Sequence, residues 1–253
     1  GLWDMVDGAF FSEFDPSRHI LAASWLGRIP RHSMAFRAMD WGYAKPYSIG
    51  WYVVSDGKWG LPRGAMVKFW ELYGSDGRPN QGLRQNVDQV AEAILAQERL
   101  IGEYGLKVRP GVIDPSAFQR DGGPSLAEQM LSRGVVWGRA DNKRLPGWQQ
   151  VRRRLTGLDG RPLLYFLETC QDTIRTFPLA QHDERDTEDL DTEGEDHALD
   201  ETRYACMARP WVADEPPADV EGIGPPTVKL PHEMTFMDRV NALRRRRLAK
   251  EHA

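Results

Sequence analysis

Four acidic residues stand at positions from which their side chains could act on one substrate. Asp40 closes the run MAFRAMD, Asp114 closes the run RPGVID, and Asp196 and Asp200 lie four residues apart in the segment DHALDETRYA. An acid at the end of a buried strand faces a cleft while its backbone is held rigidly, and helix residues four apart share one face. The spacing predicts a carboxylate cluster drawn from two strands and one helix.

A cluster of this kind suits hard divalent cations, which prefer oxygen ligands. Two such ions held about 3.5–4 Å apart can activate water and stabilise the leaving oxygen in phosphodiester hydrolysis. For each acid alone a structural role stays open, because Asp beside Pro or Gly is a frequent turn former. Asp196 is also well placed to be a helix N-cap.

The hydrophobic pattern predicts the elements that would position these acids. Three consecutive antiparallel strands are expected in the runs MAFRAMD, YSIGWYVVSDGKW and AMVKFWELYG, followed by an amphipathic helix over Asn86–Tyr104. Strands in RPGVID and VVWGRA then alternate with helices in SLAEQMLSRG and PGWQQVRRRL. A short strand, a helix ended by Pro178 and a last helix from Ala198 to Met207 complete an α/β pattern.

The segments that flank this pattern differ from it in composition. Residues 1–30 mix aromatic and acidic residues without a period, and we interpret them as a lead-in that crosses the domain surface. Residues 31–211 form the main domain, within which the acidic stretch from His182 to Glu195 is expected to be a solvated loop. Residues 212–253 are a linker rich in Pro, Gly and acids, followed by a basic tail around Arg244–Arg247.

Composition excludes several classes of protein. The longest apolar stretches fall far short of the roughly 20 residues that a membrane-spanning helix needs. The only cysteines, Cys170 and Cys206, have no CxxC spacing, so neither a zinc site nor a disulfide framework is indicated, and a reducing cytoplasm fits. The net charge of −4 is unevenly spread, since the basic Lys143–Arg154 precedes the acidic Asp183–Glu201. Local fields therefore matter more than the total charge.

Four segments resemble, in the same order, the nuclease domain of tailed-phage large terminases: AMDWGYAKPYSIGWYVV, VIDPSAF, DNKRLPGWQQVRRRL and DHALDETRYA. The lead-in LWDMVDGAFFSEFD is similar to the segment that joins the terminase motor domain to its nuclease. The resemblance implies a ribonuclease-H-like fold and an endonuclease that cuts concatemeric double-stranded viral DNA during packaging, with two Mg²⁺ or Mn²⁺ ions. It also implies that residues 1–30 lead in from an ATPase domain missing here; the motor motif GxxxxGK[ST] does not occur in the chain.

The resemblance also implies which residues form the site. Asp40 matches the acid of the first strand, Asp114 matches the second acid, and the DHALD helix supplies the third. We expect Asp200 to be the principal helix ligand with Asp196 and His197 close by, although the order of Asp196 and Asp200 stays open because sequence does not fix the helix phase. Many relatives have Ala where this chain has Glu201, which is either a further ligand or a surface acid; we expect the surface role.

Duplex DNA is the expected partner, and each Lys or Arg that contacts a phosphate adds a salt-sensitive increment of affinity. The candidate contacts are Lys45, Lys143, Arg144, Arg152 and Arg153. The resemblance further implies the terminase small subunit and the portal protein as partners, a monomeric isolated domain without a membrane partner, and a place in the host cytoplasm and transiently on the procapsid. Two alternatives remain: a non-catalytic DNA-binding or docking module of the packaging motor, and a resolvase-like or integrase-like nuclease of the same superfamily.

Overall fold

The computed structural model describes residues 8–31 and 33–209 of the chain. Its strands are β1 (Ile20–Leu21), β2 (Met34–Asp40), β3 (Ser48–Val54), β4 (Met66–Tyr73), β5 (Lys107–Ile113), β6 (Trp137–Arg139) and β7 (Leu164–Leu167). Its α-helices are α1 (Pro16–His19), α2 (Val87–Glu103), α3 (Leu126–Ser132), α4 (Arg144–Thr156), α5 (Gln171–Thr176) and α6 (His197–Ala208). Short 3-10 helices cover Ala23–Arg28, Pro115–Phe118 and Phe177–Leu179.

The strands form one seven-stranded sheet with the order β1-β7-β4-β3-β2-β5-β6. The pairs β2–β3 and β3–β4 are antiparallel, whereas β2–β5, β5–β6, β4–β7 and β1–β7 are parallel. The predicted mixed sheet, with three antiparallel strands followed by parallel ones, is confirmed. Met39 lies opposite Ile113 in the parallel pair β2–β5, so the acids that follow them, Asp40 and Asp114, lie side by side at one edge of the sheet.

Each face of the sheet is covered by helices, which gives two hydrophobic clusters. Alternate strand residues supply them: Met39 faces the cluster that includes Ile94 of α2, and Phe36 faces the cluster that includes Trp148 of α4. Helix α2 begins with a capping box between Asn86 and Gln89, which satisfies backbone donors at its start. The predicted flanking of the sheet by helices is thus confirmed.

Helix α6 packs between the sheet and the neighbouring helices α4 and α5 and is buried almost throughout. Every residue from His197 to Cys206 is buried. Its approach to β3 requires a glycine, because a Cβ at Gly50 would lie 2.5 Å from Oε1 of Glu201. The acids at the start of α6 are therefore carried by a helix with little freedom to shift.

Within residues 8–30 the lead-in differs in part from our expectation: Ala23–Arg28 has no buried residue, but the phenylalanines before it are buried. Phe10, Phe11 and Phe14 are buried in the cluster below α4, and Ile20–Leu21 adds a strand beside β7. The phenylalanine rings bury apolar area although their positions follow neither a helical nor a strand period. They lie in turns and irregular backbone, so no regular element determines which side chains point inward. The described part of the lead-in is thus integrated into the domain.

Two further expectations concern other parts of the chain. The linker after Trp211 and the basic run Arg244–Arg247 lie outside the described residues. Within the described residues, no helix combines the length and the apolar character needed to span a membrane.

Candidate active site

The two strand-end acids lie at the same edge of the sheet but have different partners. Oδ2 of Asp40 is 3.0 Å from Nδ1 of His197. Asp114 has the structural role of a cap, since its Oδ1 accepts a bond from the Ser116 amide at 2.7 Å. Its Oδ2 also accepts a bond from the Tyr204 hydroxyl of α6 at 2.8 Å. Helix α6 therefore reaches both strand ends.

The first turn of α6 adds two more acids to this edge. Asp196 occupies the N-cap position, but its side chain makes no capping hydrogen bond. Asp200 accepts a hydrogen bond from Nε of Arg203 at 2.9 Å, and Nη1 of Arg144 lies 3.6 Å from its Oδ2. The sequence left open which of these acids faces Asp40. In the structure both lie near it, and the charge of each raises the pKa of Asp40.

His197 lies at the centre of this group. Its Nδ1 is 3.0 Å from Asp40 and 3.8 Å from Oδ1 of Asp196, and its Nε2 is 3.0 Å from Oδ1 of Asn80. Burial opposes the charged ring, but the hydrogen bond and charge of Asp40, with the charge of Asp196, outweigh it and raise the pKa of His197. The imidazole is the closest counter-charge to Asp40.

Burial and mutual repulsion oppose ionisation of two of these carboxylates. Burial, reinforced by the charges of Asp200 and Asp196, raises the pKa of Asp40 to about 7 despite the opposing hydrogen bond from His197. Burial and the charge of Asp200 raise the pKa of Asp196 to about 6. Crowded carboxylates of this kind are stabilised when a cation approaches.

Two of the predicted DNA contacts are already engaged with acids of this chain. Arg144 binds Asp189 of the acidic loop at 2.7 Å, and Arg152 lies 3.3 Å from Glu13. The guanidinium of Arg152 also stacks 4.4 Å from the centroid of the Phe10 ring. Each of these arginines therefore links α4 to another segment of the fold and also carries charge.

The other predicted contacts are open to solvent. Lys45 and Arg153 are exposed, and the side chain of Lys143 is 72% exposed. The charge of Lys45 acts on Asp196 and His197, so this lysine lies near the carboxylates. These three residues are the better candidates for phosphate contacts.

The expectation that Glu201 is a surface acid is wrong. Its side chain is fully buried, and its Oε2 accepts a bond from Nζ of Lys68 at 2.6 Å. Lys68 also lies 2.9 Å from Oε1 of Glu71 and donates to Thr173 at 2.5 Å. Because α6 has no solvent-facing side near its start, an acid there needs a buried partner. We call Lys68, Glu71, Thr173 and Glu201 the inner network.

Sequence reasoning missed Asn80, Arg203 and Tyr204, whose side chains contact His197, Asp200 and Asp114 respectively. Tyr204 and Arg203 lie one turn after Asp200, and that helical spacing was a usable signal. Asn80 lies in a long loop and had no comparable signal in the sequence.

The donor set fits a hard divalent ion by its chemistry, since it consists of Asp carboxylates with one imidazole. Within residues 8–31 and 33–209, however, no three His, Cys, Asp or Glu side chains already stand as a ligand cage. One oxygen of Asp40 and one of Asp200 contact His197 and Arg203, and the oxygens of Asp114 accept bonds from Tyr204 and the Ser116 amide.

The mixed sheet, the order of its strands and the helices on both faces define a ribonuclease-H-like fold. The large terminase of a thermophilic bacteriophage, solved in complex with ADP, superimposes with a TM-score of 0.61 and 20% identity, covering 82% of this chain and 46% of that one. The nuclease domain of the P22 large terminase superimposes with a TM-score of 0.59 and 18% identity, covering 81% of this chain and 94% of that domain. The predicted resemblance is thus confirmed, and the chain has a terminase nuclease-like fold.

These likenesses concern the fold. The chain spans less than half the length of the thermophilic-phage terminase and corresponds to nearly all of the P22 nuclease domain. No protein-family model matches the chain. No curated protein matches it by sequence. The roles of individual residues therefore rest on the geometry of this site.

Proposed function

We propose that the chain is a divalent-metal-dependent endonuclease that cleaves concatemeric double-stranded viral DNA during genome packaging. The observation that carries the proposal is the convergence of Asp40, Asp196, His197 and Asp200, with Asp114 on the adjacent strand, at one edge of a terminase nuclease-like sheet. The raised pKa values of Asp40 and Asp196 support a site in which a cation relieves carboxylate repulsion.

Asp40, Asp114 and Asp200 would hold two Mg²⁺ or Mn²⁺ ions, with Asp196 and His197 as additional donors. The bound ions would supply an activated water and stabilisation of the leaving oxygen. Arg203 keeps the Asp200 carboxylate oriented through its bond to Oδ1, and Tyr204 does the same for Oδ2 of Asp114. Burial, with the charges of Asp40 and Asp200, raises the pKa of Tyr204, so its hydroxyl stays a hydrogen-bond donor.

The exposed cations Lys45, Lys143 and Arg153 would contact DNA phosphates around this site. Arg144 and Arg152 would join them only by releasing Asp189 and Glu13. The terminase small subunit and the portal protein are the proposed protein partners, on the procapsid in the host cytoplasm. These partners rest on the resemblance to terminases, and the isolated domain would be a monomer.

Incubation of the purified chain with supercoiled plasmid and Mn²⁺ or Mg²⁺ tests the activity. We expect nicked and linear products that disappear with EDTA. Asp40→Asn should abolish cutting, whereas the matched control Asp88→Asn, an exposed acid in the first turn of α2, should cut normally. Plasmid left intact under all metal conditions, or undiminished cutting by Asp40→Asn, refutes the proposal.

A second candidate function is a DNA-binding or docking module without catalysis. It is favoured by the finding that the described acids do not already form a ligand cage. This alternative requires DNA binding that survives both EDTA and Asp40→Asn, with no cleavage in either case. Preferential cutting of four-way junctions over linear duplex would instead favour a resolvase-like nuclease of the same fold.

A further inference from the structure

Asn80 lies in the loop between β4 and α2, and its backbone has φ 55°. Few residues other than glycine adopt this left-handed conformation readily, and Asn is among those that tolerate it best. The loop is held in place by a bond from the Gly82 amide to the Ala44 carbonyl and by one from the Leu83 amide to the Gly74 carbonyl. The half-buried side chain of Asn80 is thereby directed at the start of α6.

Both ends of the Asn80 amide have a partner. Nδ2 donates to the carbonyl oxygen of Gly194 at 3.3 Å, and Oδ1 lies 3.0 Å from Nε2 of His197. A carbonyl oxygen can only accept, so the NH₂ group must face Gly194 and the oxygen must face the imidazole. Nε2 of His197 must therefore carry a hydrogen, which leaves Nδ1 as the ring nitrogen directed at Asp40.

Both neighbours of His197 are hydrogen-bond acceptors, one for each ring nitrogen. The Asp40 carboxylate attracts a hydrogen to Nδ1, whereas Oδ1 of Asn80 attracts one to Nε2. Histidines that bind metal ions are commonly oriented by an acceptor on the ring nitrogen that does not touch the metal. Asn80 has the position and the chemistry of such an acceptor.

We propose that Asn80 is a positioning residue that fixes the ring of His197, with Nε2–H bound to Asn80 and Nδ1 facing the carboxylates. This inference rests on the proposed function only for its catalytic consequence. The bond between Asn80 and His197 can be measured in the metal-free chain without DNA. The same side chain links the loop after β4 to the acidic loop that precedes α6.

The test compares Asn80→Gly with two other variants of the full chain. Asn80→Gly removes the side chain while favouring the left-handed backbone. Arg84→Gly is the matched control, because Arg84 lies in the same loop with φ 54°. Asn80→Asp keeps an oxygen acceptor for Nε2 but loses the donor to Gly194.

The first measurement is the imidazole N–H signal of His197 in the ¹⁵N-histidine-labelled protein, assigned by its loss in His197→Gln. We expect an Nε2–H signal protected from water exchange in the wild type, Arg84→Gly and Asn80→Asp, and its loss in Asn80→Gly. The second is Mn²⁺-dependent cleavage, where Asn80→Gly should lower kcat about tenfold or more with little change in KM, and Arg84→Gly should stay within about twofold.

Persistence of the protected signal in Asn80→Gly overturns the proposal. So does its loss in Asn80→Asp, because the contact with Gly194 would then be the one that matters. Equal losses of kcat in Asn80→Gly and Arg84→Gly would show a backbone effect and would also overturn it. A wild-type chain that fails to cut DNA refutes the proposed function but leaves the outcome of the signal measurement valid.

Discussion

Asp200 and Glu201 are neighbours on α6, yet their surroundings differ. Glu201 lies in the inner network, where Lys68 contacts both Glu201 and Glu71, and Thr173 accepts a bond from Lys68 and donates one to Glu71. Asp200 lies at the sheet edge among carboxylates, with Arg203 as its nearest cation. Consecutive helix residues point about 100° apart, so Glu201 faces the sheet and Asp200 faces the other carboxylates. The comparison separates acids that share a buried lysine from acids that repel one another at the sheet edge.

The two groups should respond to substitution in opposite ways. A buried ion pair is costly to desolvate, and removing one partner leaves the other uncompensated. A crowded acid at a site of function is a source of instability, and removing it relieves repulsion. Substitutions among the carboxylates at the sheet edge should stabilise the protein, and substitutions in the inner network should destabilise it. The opposite result would contradict the comparison.

The largest effect on stability is expected from Lys68→Met. This change strands Glu201 and Glu71 in the interior and should lower the free energy of unfolding by about 3–5 kcal/mol. The double variant Lys68→Met with Glu201→Met should recover part of that loss, because only Glu71 then lacks its charge partner and it keeps bonds from the Asp172 and Thr173 amides. Urea denaturation of the three proteins measures both values. A single variant as stable as the wild type would mean that the inner network does not stabilise the fold.

Asp40→Asn should stabilise the metal-free protein in a pH-dependent manner. The folded-state pKa of about 7 lies above the ordinary value of 3.8, so the wild type loses stability as the pH rises from the unfolded pKa through the folded one. Asn cannot ionise, so its advantage should already be present at pH 5, about one unit above the unfolded pKa, and should grow by roughly 2–3 kcal/mol at pH 8. Thermal denaturation in EDTA at both pH values provides the measurement. A gain that is equal at the two pH values would contradict the raised pKa.

The smallest effects are expected from the exposed cations. Lys143→Ala and Arg153→Ala should each weaken DNA binding a few-fold and lower the salt slope by roughly one contact, with stability within about 0.5 kcal/mol of the wild type. Arg152→Ala should instead lose the packing on Phe10 and the pair with Glu13. Fluorescence anisotropy at several salt concentrations in EDTA measures the binding. If the wild type and both exposed-cation variants have equal salt slopes, Lys143 and Arg153 do not contact DNA phosphates.

The sequence predicted most of the fold because periodicity reports which residues are buried. The three antiparallel strands, helix α2 and the acids at the ends of β2 and β5 all follow from apolar runs and their boundaries. The roles proposed for these acids remain predictions.

Other features depend on tertiary partners that no local pattern reveals. Glu201 is buried because Lys68, 133 residues away, reaches it. The phenylalanines of the lead-in follow no period, and Asn80 meets His197 only through the fold of a long loop. Each of these was missed because the decisive contact is distant in sequence.

The burial of α6 has a consequence for hydrogen exchange. Amides of a helix enclosed by a sheet and two other helices exchange with solvent only when the whole domain unfolds, whereas those of exposed loops exchange through local opening. The amides of α6 from Leu199 onward should therefore rank among the slowest in the described part of the chain, and those of the exposed segment from Glu184 to Glu188 among the fastest. Rearrangement around the carboxylates would then occur by motion of the loops against a helix that does not open.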